Sequence, residues 1–383
     1  MSRKRSIEEI NEKIRKGRAV VLTAEQVAAM GREATPAEVA EKVDVVTTGT
    51  FGPMCSSGMF INFGHTEPPM RMERITLNNV PVFGGIAAVD AYIGATETAL
   101  PHDQYGGAHV IEELIAGKDV LMQATAKGTD CYPRTEVKTL INKATVNEMI
   151  MFNPRNAYQN YNVAVNSTSK MRFTYMGTLL PSFGNATFST SGELSPLLND
   201  PEMRTIGIGT RIFFGGTTGY VAWHGTQFNT GKPVNEHGVP VGNSATLALI
   251  GDAKEMSTRF IRAAYFEKYG VSMFVGVGIP IPVLDEDLAR RVMVRNSQIE
   301  TNIIDYGSPG HDVLGRANYR DLFAGEITLN GKKIRTAPLS SIRVAREIAE
   351  TLRREIADGR FVLTAPVEAF RKTSGLNSLD IRL

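Results

Sequence analysis

The chain of 383 residues carries 42 Lys and Arg against 40 Asp and Glu, a formal net charge of +2. That balance argues against a broad nucleic-acid footprint, which needs a clustered basic excess. With 42% hydrophobic residues, 36 glycines and 18 prolines, collagen-like and low-complexity readings fall away and an ample folded core is expected.

The basic start, Met1 to Ser6, runs into an amphipathic stretch with Glu8, Glu9 and Glu12, so no signal peptide is expected. Ser6 with Glu9 and Thr23 with Gln26 have capping-box spacing. Thr35-Pro36 with Glu38 supplies a cap, a proline at the first helical position and an early acid. A unit of helix, glycine, basic residue and strand recurs. Ile10 and Ile14 precede Gly17, Arg18 and Ala19–Leu22. Val110 and Leu114 precede Gly117, Lys118 and Val120–Met122. Leu352 and Ile356 precede Gly359, Arg360 and Phe361–Leu363. The apolar spacing places those side chains on one helix face, and glycine can close a helix in the left-handed conformation.

From about Met151 to Val283, short β-prone pieces alternate with turn residues: 162–165, 172–175, 211–214 and 219–223. The most apolar stretch, Phe274 to Leu284, is broken by Gly276, Gly278, Pro280 and Pro282. No run approaches the roughly 18 residues that cross a bilayer, so a cytoplasmic protein without membrane contact is expected. Glu326 to Arg335 reads as a hairpin turning at Asn330-Gly331. Ser340 or Ser341 opens a helix to about Asp358. The fold class is mixed α/β, a multi-layer body with helix–Gly–strand units at both ends and a β-rich middle. It is expected as one compact catalytic domain over 1–383, or as two lobes, an α/β lobe of 1–150 with 336–383 and a β-rich lobe of 151–335.

Two cysteines, Cys55 and Cys131, are too few for a secreted disulfide scaffold, and neither lies in a Cys-x-x-Cys pair that would mark a zinc ribbon or iron–sulfur cluster. Cys55 follows the strand-like run Val43–Thr48 in a glycine-rich loop, 49–59, whose amide groups can stabilise an anion such as a thiolate. Cys131 follows the run Val120–Thr125. There Lys127 and Arg134 would lower a thiol pKa and Asp130 would raise it. Both loops would lie beyond the carboxyl ends of strands, where open α/β sheets place ligands, so both thiols are expected to face one crevice. The competing reading makes each cysteine a small buried hydrophobe.

The six histidines are scattered and form no His-x-x-x-His pair, so no metal is expected. Gly207-Ile208-Gly209 and Gly276-Val277-Gly278 both lack the third glycine of a dinucleotide fingerprint. Asn153 to Asn162 is dense in amides and phenols and reads either as the wall of a polar pocket or as a turn-rich surface. Trp223 to Gln227 has the same two readings.

Gly49-Thr50-Phe51-Gly52-Pro53-Met54-Cys55-Ser56-Ser57-Gly58 and Gly128-Thr129-Asp130-Cys131-Tyr132-Pro133-Arg134 resemble the two cysteine motifs of the homocysteine-biosynthesis family, which includes L-aspartate semialdehyde sulfurtransferases of methanogens and anaerobic bacteria. Asn153–Asn162, Gly192–Pro201 and Ile206–Arg211 are similar to the same family, over nearly the whole chain. The resemblance implies conversion of L-aspartate semialdehyde to L-homocysteine, with sulfur supplied as sulfide or persulfide and two electrons consumed. It implies that Cys55 and Cys131 are catalytic, with a persulfide on one and a disulfide between them when sulfur leaves. It also implies electrons from an external ferredoxin-type partner; the lack of cluster ligands points to no cofactor bound by the chain itself, and the charge balance to no nucleic-acid partner. Some members continue into paired nucleotide-sensing modules, which are not expected here; a homo-oligomer stays open.

A substrate with a carboxylate and an ammonium calls for one Arg and one Asp or Glu facing the thiols. Arg134 and Arg155 are the candidates for the carboxylate. Thiol acyl transfer, with one cysteine and a histidine base, and a non-catalytic sulfur carrier or scaffold are the alternatives.

Overall fold

The computed structural model describes residues 4–100, 102–373 and 375–381. The helix starts follow local chemistry. Helices Ile7–Arg15, Ala24–Met30 and Pro36–Lys42 open on Ser6, Thr23 and Thr35, and each cap is part of a reciprocal capping box. Ser341 caps helix Ile342–Ala357, accepting from the Val344 amide at 3.3 Å. Ile10 and Ile14 pack against Val344, Ile348, Leu352 and Ile356, so the first and last helices share one apolar cluster.

Two of the three glycine units lead into strands, Val21–Thr23 and Val120–Thr125. The third does not. Residues 361–363 join no sheet, because the Asn11 side chain takes both polar groups of Leu363, accepting from its amide at 2.8 Å and donating to its carbonyl at 2.8 Å. A side-chain amide here replaces the strand ladder.

The largest sheet has nine strands, and every pairing in it is antiparallel. Its path runs Ile261–Phe266, Gly270–Gly278, Arg211–Phe214, Thr217–His224, Leu247–Asp252, Glu148–Asn156, Gly58–Asn62 and Asp90–Gly94. Thr50–Pro53 pairs with Gly270–Gly278, placing Pro53 opposite Phe274 and Thr50 opposite Val277. Thr50–Pro53 and Gly58–Asn62 therefore lie toward opposite ends of the sheet, yet only residues 54–57 join them. Four residues reach at most about 14 Å, so the sheet curls until its ends come close. Helix Gly107–Ile115 packs on strands from both ends, Ile261–Phe266 and Asp90–Gly94.

A six-stranded mixed sheet runs Val313–Asn318, Glu300–Asp305, Val163–Val165, Ala186–Phe188, Lys332–Pro338 and Glu326–Leu329. Its hairpin turns at Asn330 and Gly331, both at positive φ (50° and 76°), as a two-residue turn of that sequence requires. An antiparallel sheet of Val80–Val82, Arg74–Leu77, Val120–Thr125 and Glu136–Ile141 carries the second cysteine loop at one end. A three-stranded sheet joins Val21–Thr23, Val45–Thr47 and Pro280–Pro282. Among the described residues no helix is long and apolar enough to cross a membrane.

Candidate active site

The segment expected as a loop around Cys55 is a strand, a tight turn and a second strand. Gly49 and Gly52 are there for close approach. A Cβ on Gly49 would lie 2.1 Å from the Ala345 carbonyl oxygen, and one on Gly52 would lie 2.4 Å from Ser340 Oγ. The Met54 amide donates to the Met273 carbonyl at 2.7 Å. The Ser57 amide and hydroxyl both return to the Met54 carbonyl, at 3.1 and 2.7 Å, closing the turn.

Cys55 is half-buried and unoxidised. Its Sγ lies 3.2 Å from Ser272 Oγ, a fully buried hydroxyl on the neighbouring strand, and the Tyr269 hydroxyl donates to it at 3.9 Å. Burial pushes the Tyr269 phenol far above its usual range, with the nearby Cys55 adding to the effect, so Tyr269 stays protonated as a donor.

The thiol opens into a cavity of about 480 Å³. Asn153–Asn162 forms much of its wall and the structure behind it. Asn153, Asn156, Gln159 and Asn160 are buried, so the segment is no surface turn. Gln159 Nε2 donates to the Leu197 and Pro201 carbonyls and Asn160 Nδ2 to those of Pro240 and Glu300, at 2.8–3.0 Å. Those anchors leave Arg155, Tyr158 and Tyr161 on the lining. Ser56 Oγ donates to the Arg155 carbonyl at 2.8 Å, tying the cysteine turn to the arginine strand.

Arg155 donates to Gln227 Oε1, while its Nε is buried without a protein partner. Ser244 Oγ, on the same lining, is likewise buried and unpartnered. A chain of phenols runs from the lining: Tyr161 donates to Tyr175 at 3.0 Å, and Tyr175 and Tyr306 share a hydrogen bond of 2.7 Å. Burial raises the pKa of Tyr158, Tyr161 and Tyr306, leaving neutral hydroxyls. Arg155 and Lys232 are the charged side chains among the described lining residues. The expected Asp or Glu beside the thiol is not there, and no histidine is on the lining.

Cys131 is exposed on the 126–135 loop. That loop joins two antiparallel strands, so the crevice rule for open parallel sheets does not apply to it. Thr129 and Tyr132 exchange backbone hydrogen bonds at 2.9 and 3.1 Å, and the Tyr132 ring stacks on His65 at 6.3 Å. Arg134 donates to the Pro68 carbonyl at 3.1 Å and the Glu67 carbonyl at 2.6 Å. The structure thus brings Cys55 and Arg155 to one cavity, and neither Cys131 nor Arg134 is on its lining.

Tyr175, Lys232, Ser244, Tyr269 and Ser272 carry no local motif, and sequence reasoning missed them. Gln227, at the end of the flagged Trp223–Gln227 run, does reach the lining, whereas Trp223 is exposed. Among the described residues no group of three metal-ligating side chains occurs.

The profile of a family described as "Homocysteine biosynthesis enzyme, sulfur-incorporation" matches residues 19–363. A protein of Methanocaldococcus jannaschii named L-aspartate semialdehyde sulfurtransferase is 50% identical over 382 residues, covering 95% of this chain and 73% of the relative. One of Methanosarcina acetivorans with the same name is 46% identical over 378 residues, covering 98% of this chain and 74% of the relative. An uncharacterized protein of Methanothermobacter thermautotrophicus is 27% identical over 333 residues, covering 84% and 73%. No solved structure matches the chain.

Proposed function

The chain belongs to the sulfur-incorporating homocysteine-biosynthesis enzyme family, and from that premise we propose that it converts L-aspartate semialdehyde to L-homocysteine with sulfur carried on Cys55. One observation supports Cys55 as the carrier: its thiol opens into a cavity that also holds Arg155 and Lys232. Cationic side chains can hold a persulfide anion, and a guanidinium can grip the substrate carboxylate.

The proposed cycle starts from a Cys55–Cys131 disulfide. Hydrosulfide attacks the Cys55 sulfur, leaving a persulfide there and a thiol on Cys131. The terminal sulfur adds to the aldehyde carbon, forming the C–S bond, while the carbonyl oxygen takes a proton. The Cys131 thiolate then attacks the Cys55 sulfur, restoring the disulfide and releasing the hydroxythiolate. Loss of the hydroxyl as water gives a thiocarbonyl, which two electrons and two protons reduce to the thiol. The sum is one aldehyde, one hydrogen sulfide, two electrons and two protons giving one thiol and one water. An external ferredoxin-type protein supplies the electrons. Exchange between the cysteines requires Cα atoms about 4.4–6.8 Å apart, so the 126–135 loop must carry Cys131 to Cys55.

Thiol acyl transfer is the weaker reading, because the described lining residues include no histidine to act as base. The test incubates the protein with L-aspartate semialdehyde, sulfide and a reduced ferredoxin-type donor. Homocysteine is expected, together with a gain of about 32 Da, one sulfur, on the Cys55 peptide after polysulfide treatment. Failure to form homocysteine, or undiminished formation by Cys55→Ala, would sink the proposal.

A further inference from the structure

The cavity treats the two ends of an amino acid differently. Toward an anion it offers Arg155 and Lys232, and two lining residues each keep a buried polar atom that no protein group satisfies, Arg155 Nε and Ser244 Oγ. Buried donors left unpaired in a protein are costly, so such atoms mark a place where an acceptor belongs. A carboxylate, with two oxygens and about four lone-pair sites, matches a guanidinium and a hydroxyl together. Toward a cation the described lining residues offer no opposite charge. The described lining residues include no Asp or Glu, and the oxygens there belong to phenols, hydroxyls and amides. Burial holds the phenols of Tyr158, Tyr161 and Tyr269 in their neutral form. Among the described lining residues an ammonium meets two like charges and no carboxylate.

We propose that the enzyme selects its aldehyde by the carboxylate and is nearly blind to the amino group, so that it also converts short ω-oxo carboxylates lacking that group, 4-oxobutanoate among them, to the corresponding thiols. The inference rests on the functional reading above and extends it to a wider substrate class. The chemistry is unchanged. The aldehyde oxygen leaves as water, one C–S bond forms with sulfur from hydrogen sulfide, and two electrons from a ferredoxin-type donor with two protons complete the thiol. 4-Oxobutanoate yields 4-sulfanylbutanoate.

Magnitudes make the inference decisive. A site built to pair with a polar substrate group rejects the analogue lacking it by about 10,000-fold or more, while a site without such a partner discriminates by about 10–100-fold or less. The full chain is assayed with sulfide and reduced ferredoxin-type donor on three aldehydes: L-aspartate semialdehyde, 4-oxobutanoate and 3-aminopropanal, which lacks the carboxylate. The expected kcat/KM for 4-oxobutanoate lies within about 10-fold of that for the amino aldehyde, and 3-aminopropanal falls by more than about 100-fold.

A second measurement needs no turnover. Butanoate is expected to protect Cys55 from iodoacetamide in the wild-type chain and not in Arg155→Gln, and butylamine to protect in neither. Thiol from L-aspartate semialdehyde with 4-oxobutanoate more than about 1,000-fold poorer overturns this inference alone and leaves the parent function standing. Thiol from none of the aldehydes overturns both. Protection by butylamine equal to that by butanoate overturns the carboxylate preference.

Discussion

The two cysteine bends of this chain are alike in sequence and unlike in build. Both combine glycine, proline and a hydroxyl residue around one thiol. The Cys55 bend is a four-residue turn clamped between strands of the main sheet, with Ser272 and Tyr269 on the sulfur and a cavity in front of it. The Cys131 bend is a surface loop at the end of a smaller sheet, held by its own backbone bonds and by Arg134 reaching to Glu67 and Pro68. The difference teaches that a glycine-rich bend does not by itself define a reactive centre. What the thiol can do depends on the elements brought against it from far along the chain.

The sharpest break in the comparison comes from removing each sulfur. Cys55→Ala is expected to lower homocysteine formation by at least about 1,000-fold, the usual scale for losing a covalent carrier, and to abolish sulfur uptake seen by intact mass. Cys131→Ala is expected to stop turnover too and to lose uptake from sulfide, which needs the disulfide, yet to keep uptake on Cys55 from polysulfide, which already carries sulfane sulfur. Uptake lost in Cys131→Ala and kept in Cys55→Ala would reverse the assignment.

The two arginines divide in the same way. Arg155→Gln removes a guanidinium from the cavity and is expected to lower kcat/KM by about 10–100-fold, the value of one or two hydrogen bonds to a charged group. Arg134→Gln, whose partners are the backbone carbonyls of Glu67 and Pro68, is expected to cost less than about 3-fold, the reach of an exposed polar contact of some 0.5 kcal/mol. Equal losses in steady-state kinetics would erase the distinction.

Ser272→Ala probes the sulfur environment directly. One hydrogen bond to a thiolate, about 1–1.5 kcal/mol, is expected to slow iodoacetamide alkylation of Cys55 by about 5–10-fold and to leave Cys131 alkylation unchanged. Ser272→Thr, which keeps the hydroxyl, should restore the rate. The mildest contrast is between glycines. Gly49→Ala pushes a methyl into the Ala345 carbonyl and is expected to cost about 3 kcal/mol in denaturant unfolding. Gly128→Ala, at φ 76° with the nearest atom at 3.0 Å, is expected to cost about 1 kcal/mol.

Much of this architecture is legible in the sequence where the signal is local. Ser6, Thr23 and Thr35 announce their helices through a residue three positions away, and Asn330-Gly331 announces its hairpin through the backbone those two residues tolerate. The strand Thr50–Pro53 is not legible, because glycine and proline argue against a strand and its partner, Gly270–Gly278, lies some 220 residues on. Leu363 looks like a strand residue until a distant amide, Asn11, claims its polar groups. Within the site, Cys55 and Arg155 can be read from motif and chemistry. Ser272 and Tyr269 cannot, since one sits mid-strand and the other at a hairpin tip with nothing local to mark either. The expected acidic partner for the substrate amine failed for a related reason: substrate chemistry says what would suit a ligand, while packing decides what faces it.

The pairing of Thr50–Pro53 with Gly270–Gly278 also bears on biosynthesis. A ribosome releases residue 55 long before residue 270, and in the interval the turn around that thiol has a ladder only on its Gly58–Asn62 side, with Asp90–Gly94 and then Glu148–Asn156. Until Gly270–Gly278 has emerged, the nascent sulfur lacks Tyr269 and Ser272 beside it and is open to an oxidant or electrophile nearby. The last of its cover therefore arrives late, when the distant strand docks.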